Sequence, residues 1–369
     1  MPSRGPALLC LEDGTAFGGH SFGAPIAALG DLVVNTSATG YQEICTDPSY
    51  AGQLVVMTAP LIGNHGTIVG DDQSHRPWLR GLIVAHATRA AGAAHACQLV
   101  DVLGARGVPA ICGVDTRALA RRLRRTGSQR AIITAPGELD QTSAIQQARR
   151  SPRWEDQDFV GQVSVERMSE VGSAGPTVAV IDMGMKAGIV TGLVARGMRC
   201  RIVPHSASAS EVLQPGIAGV VLSPGPGDPA RLAGPVALAA AVIAAGRPLL
   251  GICLGHQIVA RAAGAQTQRL AFGHHGANHP VQDLDTGRVL MTAQNHEVEV
   301  VAASLPPGSG FVVSQRDLND GSVEGLRHLT RPVETVQYHP EGSPGPWDAV
   351  DVFDRFEARV RAHPQREHP

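Results

Sequence analysis

The 369-residue sequence contains no apolar run long enough to cross a bilayer. The longest candidate, PVALAAAVIAAG from Pro235 to Gly246, falls well short of the ~20 residues a spanning helix needs and reads as a buried, alanine-rich helix. Nor is there an excess of charge of either sign. With 31 basic and 33 acidic residues the formal charge is -2, which leaves no electrostatic footprint for nucleic acid or an anionic membrane. Small molecules and proteins are the expected ligands. The six cysteines (Cys10, Cys45, Cys97, Cys112, Cys200 and Cys253) form no C-x-x-C pair and no short repeating spacing, which argues against a zinc module or a disulfide framework and fits a reducing cytoplasm. The opening MPSRGPALLCLEDG turns polar too soon for the apolar core of a signal peptide, so a cytoplasmic protein is expected. Internal repeats and low-complexity tracts are absent as well.

What is present describes a globular α/β protein. Hydrophobic residues make up 43% of the chain, and 43 glycines with 26 prolines imply many tight turns. The length predicts two domains. Up to about residue 150, strand-like runs at Ala7–Leu11, Gly30–Asn35, Gln53–Thr58 and Gly81–Ala85 are separated by Gly, Pro and Asp turns. Asp115-Thr116 followed by RALARRLRRTG predicts an N-cap, an arginine-rich helix and a stop at Gly127. Its Arg121–Arg125 cluster suits either a solvated helix face or a phosphate or partner site. Residues 151–175 lose periodicity and end in Gly, Ser and Pro, so they are read as a linker between a first domain at 1–150 and a second at 176–369. In the second, TVAVID, CRIVP, GVVLSPGPGDP and RPLLGI alternate with helical segments, which predicts a mostly parallel sheet covered on both faces. Sites in such sheets form at the carboxyl ends of the strands.

Three segments of the second domain carry chemistry. Gly251-Ile252-Cys253-Leu254-Gly255-His256-Gln257, between an apolar run and an apparent helix, has the G-x-nucleophile-x-G form of an elbow. Cys253 then sits at a helix N-terminus, where negative charge on sulfur is favoured, although a small buried core cysteine fits the same residues. In Thr335-Val336-Gln337-Tyr338-His339-Pro340-Glu341, an extended chain places His339 and Glu341 on one face, as a general base and its orienting carboxylate require. Ser223-Pro224-Gly225-Pro226-Gly227-Asp228-Pro229 follows a strand, and its glycines can aim backbone N–H groups at a developing oxyanion; the amides of Gly225 and Leu254 are assigned that role.

SPGPGDP, GICLGHQ and HPE in this order resemble the class I (triad) glutamine amidotransferases. The resemblance implies hydrolysis of L-glutamine to glutamate and ammonia through a thioester on Cys253, with His339 as base and acid and Glu341 orienting it. The segments CLEDGTAFGG, NTSATGYQEICTDPSYAGQ, PLIGN, GVDTRALARRLR, FGHHGANHPV and HPEGSPGP are similar to the small subunit of carbamoyl-phosphate synthase over nearly the whole chain. That likeness implies an N-terminal mixed β/α domain, then a flavodoxin-like amidotransferase domain with a mostly parallel sheet. It further implies a large-subunit partner that receives ammonia through a channel and uses ATP, Mg and bicarbonate to make carbamoyl phosphate for arginine and pyrimidine biosynthesis, with no cofactor or metal in this chain. The family's glutamine contacts fall on Ser49, Gly225, Gly227, Leu254, Gln257 and Asn295. The next two contacts differ, because Glu297 and Val298 stand where the family has glycine and an aromatic residue. A carboxylate at 297 either repels the α-carboxylate of glutamine or pairs with its ammonium. Pro224 stands where the family has asparagine and removes a backbone donor. The alternative function is that of a divergent paralogue, impaired as a glutaminase, acting as a non-catalytic interaction subunit. His274, His275 and His279 suggest a metal site, but no acidic residue or cysteine stands beside them in sequence and the likeness assigns the loop to shaping the glutaminase cleft. Cys97 and Cys112 are read as packing residues.

Overall fold

The computed structural model describes residues 4–91 and 97–363. The chain divides into two compact units, Met1–Gln157 with Ala271–Gly276, and Asp158–Leu270 with Ala277–Pro369.

In the first unit the strands Pro6–Leu11, Ala16–Gly23, Pro109–Cys112, Gly81–Ile83, Gln53–Met57, Ala28–Asn35 and Gln129–Ile133 close in that order into a barrel. Closure comes from Gln129–Ile133, whose Ala131 and Ile133 pair back with Leu11 and Leu9. A closed sheet leaves no unpaired edge. All four strand-like runs read from the sequence are staves of this barrel, with ends shifted by a few residues. Leu32, Leu54, Val56 and Ile83 fill part of its core, and Leu119 and Leu123 pack on them from the helix Thr116–Thr126. That helix has the expected ends. The Asp115 carboxylate accepts a hydrogen bond from the Ala118 N–H at 2.8 Å, and Gly127 closes the last turn with φ 80. Its arginine face is solvated, but Arg122 is committed to Asp13 at 2.6 Å.

The segment read as a linker is only partly irregular. Trp154 anchors it to the first unit by donating its indole N–H to the Ala51 carbonyl at 3.0 Å. Ser169–Val171 forms an edge strand of the second unit, antiparallel to Arg199–Pro204.

The second unit is built on a ten-stranded sheet. Arg199–Pro204, Thr177–Asp182, Ile217–Leu222, Leu249–Ile252 and Val333–Val336 run parallel in that spatial order. Antiparallel strands, beginning with Val323–His328, extend it beyond Val333–Val336. Every residue of Thr177–Asp182 and Ile217–Leu222 is buried, the continuous apolar pattern of strands covered on both faces. The two faces separate by alternation: Val178 and Val180 pack with Ile189 and Leu193 of the helix Ala187–Ala195, while Ala179 and Ile181 join the side that holds Leu238 and Ile258. The α/β, mostly parallel architecture is as expected.

One helix differs from its reading. Ala233–Ala244 buries only Pro235, Leu238, Ala239 and Val242, a single stripe at helical spacing, and leaves other residues such as Ala237 and Ala240 exposed. Alanine is small enough to face water at little cost, so its composition concealed the amphipathic period. Among the described residues no helix is long and apolar enough to cross a membrane. The parallel strands place Asp182, Ser223, Cys253 and the segment after Val336 at their carboxyl ends.

Candidate active site

Strand Leu249–Ile252 runs into Cys253, and the helix Leu254–Ala262 begins at the next residue. Cys253 has φ 52 and ψ -105, and is the one non-glycine residue with positive φ among the described residues. Such a backbone is strained and persists only where the surroundings enforce it. They do so through tight packing. The Cys253 N–H donates to the Val336 carbonyl at 2.8 Å, and a side chain on Gly255 would place its Cβ 2.2 Å from the Leu222 carbonyl oxygen. The glycine after the nucleophile is therefore demanded by the approach of the neighbouring strand. The thiol is 1% exposed and lies 3.6 Å from the Asn295 carbonyl oxygen. Cys253 thus satisfies both descriptions given by its sequence: it is buried, and it occupies a strained elbow.

His339 lies beyond the end of strand Val333–Val336 and is buried. Its Nδ1 is 2.8 Å from Glu341 Oε1, so the two-residue spacing does bring base and carboxylate together. The same carboxylate oxygen is 2.7 Å from Lys186 Nζ, and both of these side chains are at most 2% exposed. Burial disfavours the imidazolium, but the Glu341 charge outweighs burial and, with Cys253 adding to it against the opposition of Lys186, holds His339 well above the usual histidine range. For Glu341, burial is likewise outweighed, by Lys186 first and His339 second, and its carboxyl lies far below the usual range. With Nδ1 committed to Glu341, Nε2 is the ring nitrogen left for proton transfer.

Sequence reasoning missed Lys186. The local signal was a lysine at the N-cap of the helix Ala187–Ala195, where the dipole disfavours a cation. A residue that breaks a local rule is commonly held by a tertiary partner, here Glu341. The turn that presents it is organised by Asp182, whose Oδ1 accepts from the Gly184 and Met185 N–H groups at 3.0 and 2.8 Å. Ser223 ties the same turn to the glycine loop, since its hydroxyl oxygen accepts from the Met183 N–H at 2.9 Å.

Gly225 also requires its lack of a side chain, because a Cβ would fall 2.0 Å from the Met183 carbonyl oxygen. Gly227 has φ 109. Leu254 and Gln257 lie in the first turn of the helix after Cys253, and the Gln257 amide nitrogen donates to the Val298 carbonyl at 2.8 Å and to Gln337 Oε1 at 3.1 Å. Asn295, Glu297 and Val298 are buried on the strand Val289–Val300. Ser49 belongs to the first unit, in the turn Pro48–Tyr50, where its N–H donates to Asp47 Oδ1 at 2.9 Å.

Two side readings change. A carboxylate does reach the histidine trio: Asp317, far off in sequence, lies 3.1 Å from His279 Nδ1. Cys97 is exposed rather than packed, and its backbone forms a bridge with Thr67.

Residues 9–133 match the family model for the carbamoyl-phosphate synthase small chain, CPSase domain, and residues 179–358 match that for class-I glutamine amidotransferase. Over almost its full length the chain is similar to the carbamoyl phosphate synthase small chain of Symbiobacterium thermophilum, with 46% identity over 358 residues, 95% of this chain and 97% of the relative. The chain belongs to the carbamoyl-phosphate synthase small-chain family. The small chain of Bacillus caldolyticus is 43% identical, with 96% of each chain covered. A pyrimidine-specific small chain of Halalkalibacterium halodurans is 42% identical over 94% of this chain and 95% of the relative. The likeness read from the N-terminal motifs and from SPGPGDP, GICLGHQ and HPE is borne out. Family membership makes this chain the glutamine amidotransferase component of carbamoyl-phosphate synthase, a ligase.

Proposed function

We propose that the chain hydrolyses L-glutamine through a thioester on Cys253 and delivers the ammonia to a large subunit. The observation that carries this reading is the strained Cys253 elbow together with the buried His339–Glu341 pair. With its proton passed to His339, the Cys253 sulfur attacks the glutamine carboxamide carbon, and the tetrahedral oxyanion is met by the amides of Gly225 and Leu254. The carbon–nitrogen bond then breaks as His339 gives its proton to the departing amine. Water, deprotonated by the same ring, cleaves the thioester to glutamate and restores the thiol. Glu341 fixes the imidazole and offsets its charge, with Lys186 holding the carboxylate in place. Glutamine is held by Gly225, Gly227, Leu254, Gln257, Asn295, Glu297 and Val298.

This chain needs no cofactor for that chemistry. ATP and Mg act in the large subunit, where ammonia and bicarbonate become carbamoyl phosphate for arginine and pyrimidine synthesis. The pyrimidine branch is supported by the name of the Halalkalibacterium halodurans relative. An enclosed path for ammonia has a physical purpose, because ammonia released into water is protonated and lost as a nucleophile. The test measures glutamate release with and without a cognate large subunit, using Cys253→Ser as control. The proposal requires activity that rises with the partner, and loss in the variant of glutamine-supported but not ammonia-supported carbamoyl phosphate synthesis. Equal glutamate release from variant and parent would refute it.

A further inference from the structure

The chain has three tryptophans. Trp78 and Trp154 are buried, whereas Trp347 is 74% exposed. A single apolar side chain in water needs no explanation, but Trp347 does not stand alone. Val289 and Met291, two apart on the strand Val289–Val300 and so on one face of it, are 48% and 38% exposed. That strand is the last of the ten-stranded sheet, and the loop that carries Trp347 lies along it. The Met291 N–H donates to Asp348 Oδ2 at 3.1 Å, and a Cβ on Gly345 would fall 2.7 Å from the Ala293 Cβ.

Both segments lead from this surface to the catalytic centre. Two residues beyond Met291, the Ala293 carbonyl accepts from the His339 N–H at 2.9 Å. On the loop side, a Cβ on Gly342 would meet Trp347 Cδ1 at 2.8 Å, and Gly342 directly follows Glu341. The indole therefore lies against the outside of the turn that holds the catalytic carboxylate. Two occupants suit such a sheet edge: a second copy of this chain added strand to strand, or a different protein seated on the side chains. Asp348 already takes the Met291 N–H, which obstructs strand addition there. What stays open is an aromatic and two aliphatic side chains, with the charged pair Arg288 and Asp351, 3.5 Å apart, beside them. Apolar anchors with a polar rim are the anatomy of an interface between different proteins. Ammonia must also enter its acceptor before it meets bulk water, so the acceptor has to cover surface next to the catalytic turn.

We propose that Trp347, flanked by Met291 and Val289, is the anchor on which the large subunit seats, its indole entering an apolar pocket of that partner. The three side chains take no part in bond breaking. This inference rests on the reading of the chain as a subunit that delivers ammonia, and it names the surface at which the recipient docks.

The experiment titrates the full chain with a cognate large subunit by calorimetry and so reads assembly rather than catalysis. Trp347→Ala should weaken Kd by about 30-fold or more, the loss expected of a central aromatic anchor. The double variant Val289→Ser with Met291→Ser should weaken it about 10-fold. Leu329 serves as control: it is 59% exposed and follows the strand Val323–His328, whose antiparallel pairing with Val333–Val336 puts it at the end of the sheet away from Cys253. Leu329→Ser should stay within about twofold of the parent. All the substituted side chains are exposed, so melting temperatures should stay close to the parent's. Unchanged Kd in both patch variants would overturn the anchor, as would an equal loss in Leu329→Ser. Sedimentation showing a dimer of the parent that Trp347→Ala abolishes, with large-subunit affinity unchanged, would overturn it too and give the face to a second copy. A parent that assembles but releases no glutamate is a separate result, which defeats the glutaminase reading and not the anchor.

Discussion

Both units carry exposed ion pairs, such as Arg327 with Asp285 in the amidotransferase unit, and they differ in what they bury. In the barrel unit, opposite charges meet where water reaches them: Arg122 and Asp13 are 33% and 23% exposed, and Arg130 and Glu12 17% and 27%. The amidotransferase unit buries Lys186 against Glu341 and sets His339 on the same carboxylate oxygen. It also holds the strained Cys253. Exposed pairs contribute little and cost little, whereas a buried cluster is held at a cost in desolvation that its geometry must offset. The difference teaches where the molecule gives up stability, which is at the carboxyl ends of the parallel strands around Cys253.

The comparison can be broken most forcefully at the nucleophile. Cys253→Ser should lower glutaminase kcat by more than about 1000-fold while circular dichroism and melting temperature stay close to the parent. A variant that unfolds would mean that Cys253 is held for packing. Next in size is Lys186→Met, which leaves Glu341 buried without its cation. Chemical denaturation should show a loss of about 3–5 kcal/mol, whereas Arg122→Met in the barrel unit should lose about 1 kcal/mol at most. Equal losses would erase the contrast.

Backbone approach gives a third pair. Gly255→Ala, with its Cβ 2.2 Å from the Leu222 carbonyl oxygen, should destabilise by about 2–4 kcal/mol, and Gly18→Ala, with nothing within 4 Å in its barrel strand, should stay within about 0.5 kcal/mol of the parent. The smallest effect concerns pH. His339 is raised in the folded state, so its contribution to stability is complete below the unfolded value of about 6.5 and is lost as pH rises through the folded value. Glu341 is depressed, so its contribution is complete above about 4.3 and is lost as pH falls. The stability difference between parent and His339→Asn should therefore be level from roughly pH 4.5 to 6.5 and shrink above that. A difference that grows with rising pH would contradict the raised His339.

The sequence made the elbow and the His339–Glu341 pair legible because both are local. Glycines flank Cys253 within a single turn, and His339 and Glu341 are two residues apart on extended chain. Lys186 was not seen, since it acts on Glu341, which the end of a different strand brings to it. The same is true of Asp317 beside His279. Four of the seven barrel strands could be read one by one, but closure depends on Gln129–Ile133 pairing back to the first strand, which no local pattern records. Apolar alternation failed at Ala233–Ala244 because alanine marks neither face.

The central claim, that Cys253 is the nucleophile, is tested most directly by acid-quenching the complex during glutamine turnover and analysing its peptides by mass spectrometry. The account predicts a glutamyl adduct on the peptide that contains Cys253, absent from Cys253→Ser. Glutamate release continuing without that adduct, or with the adduct on another residue, would contradict it.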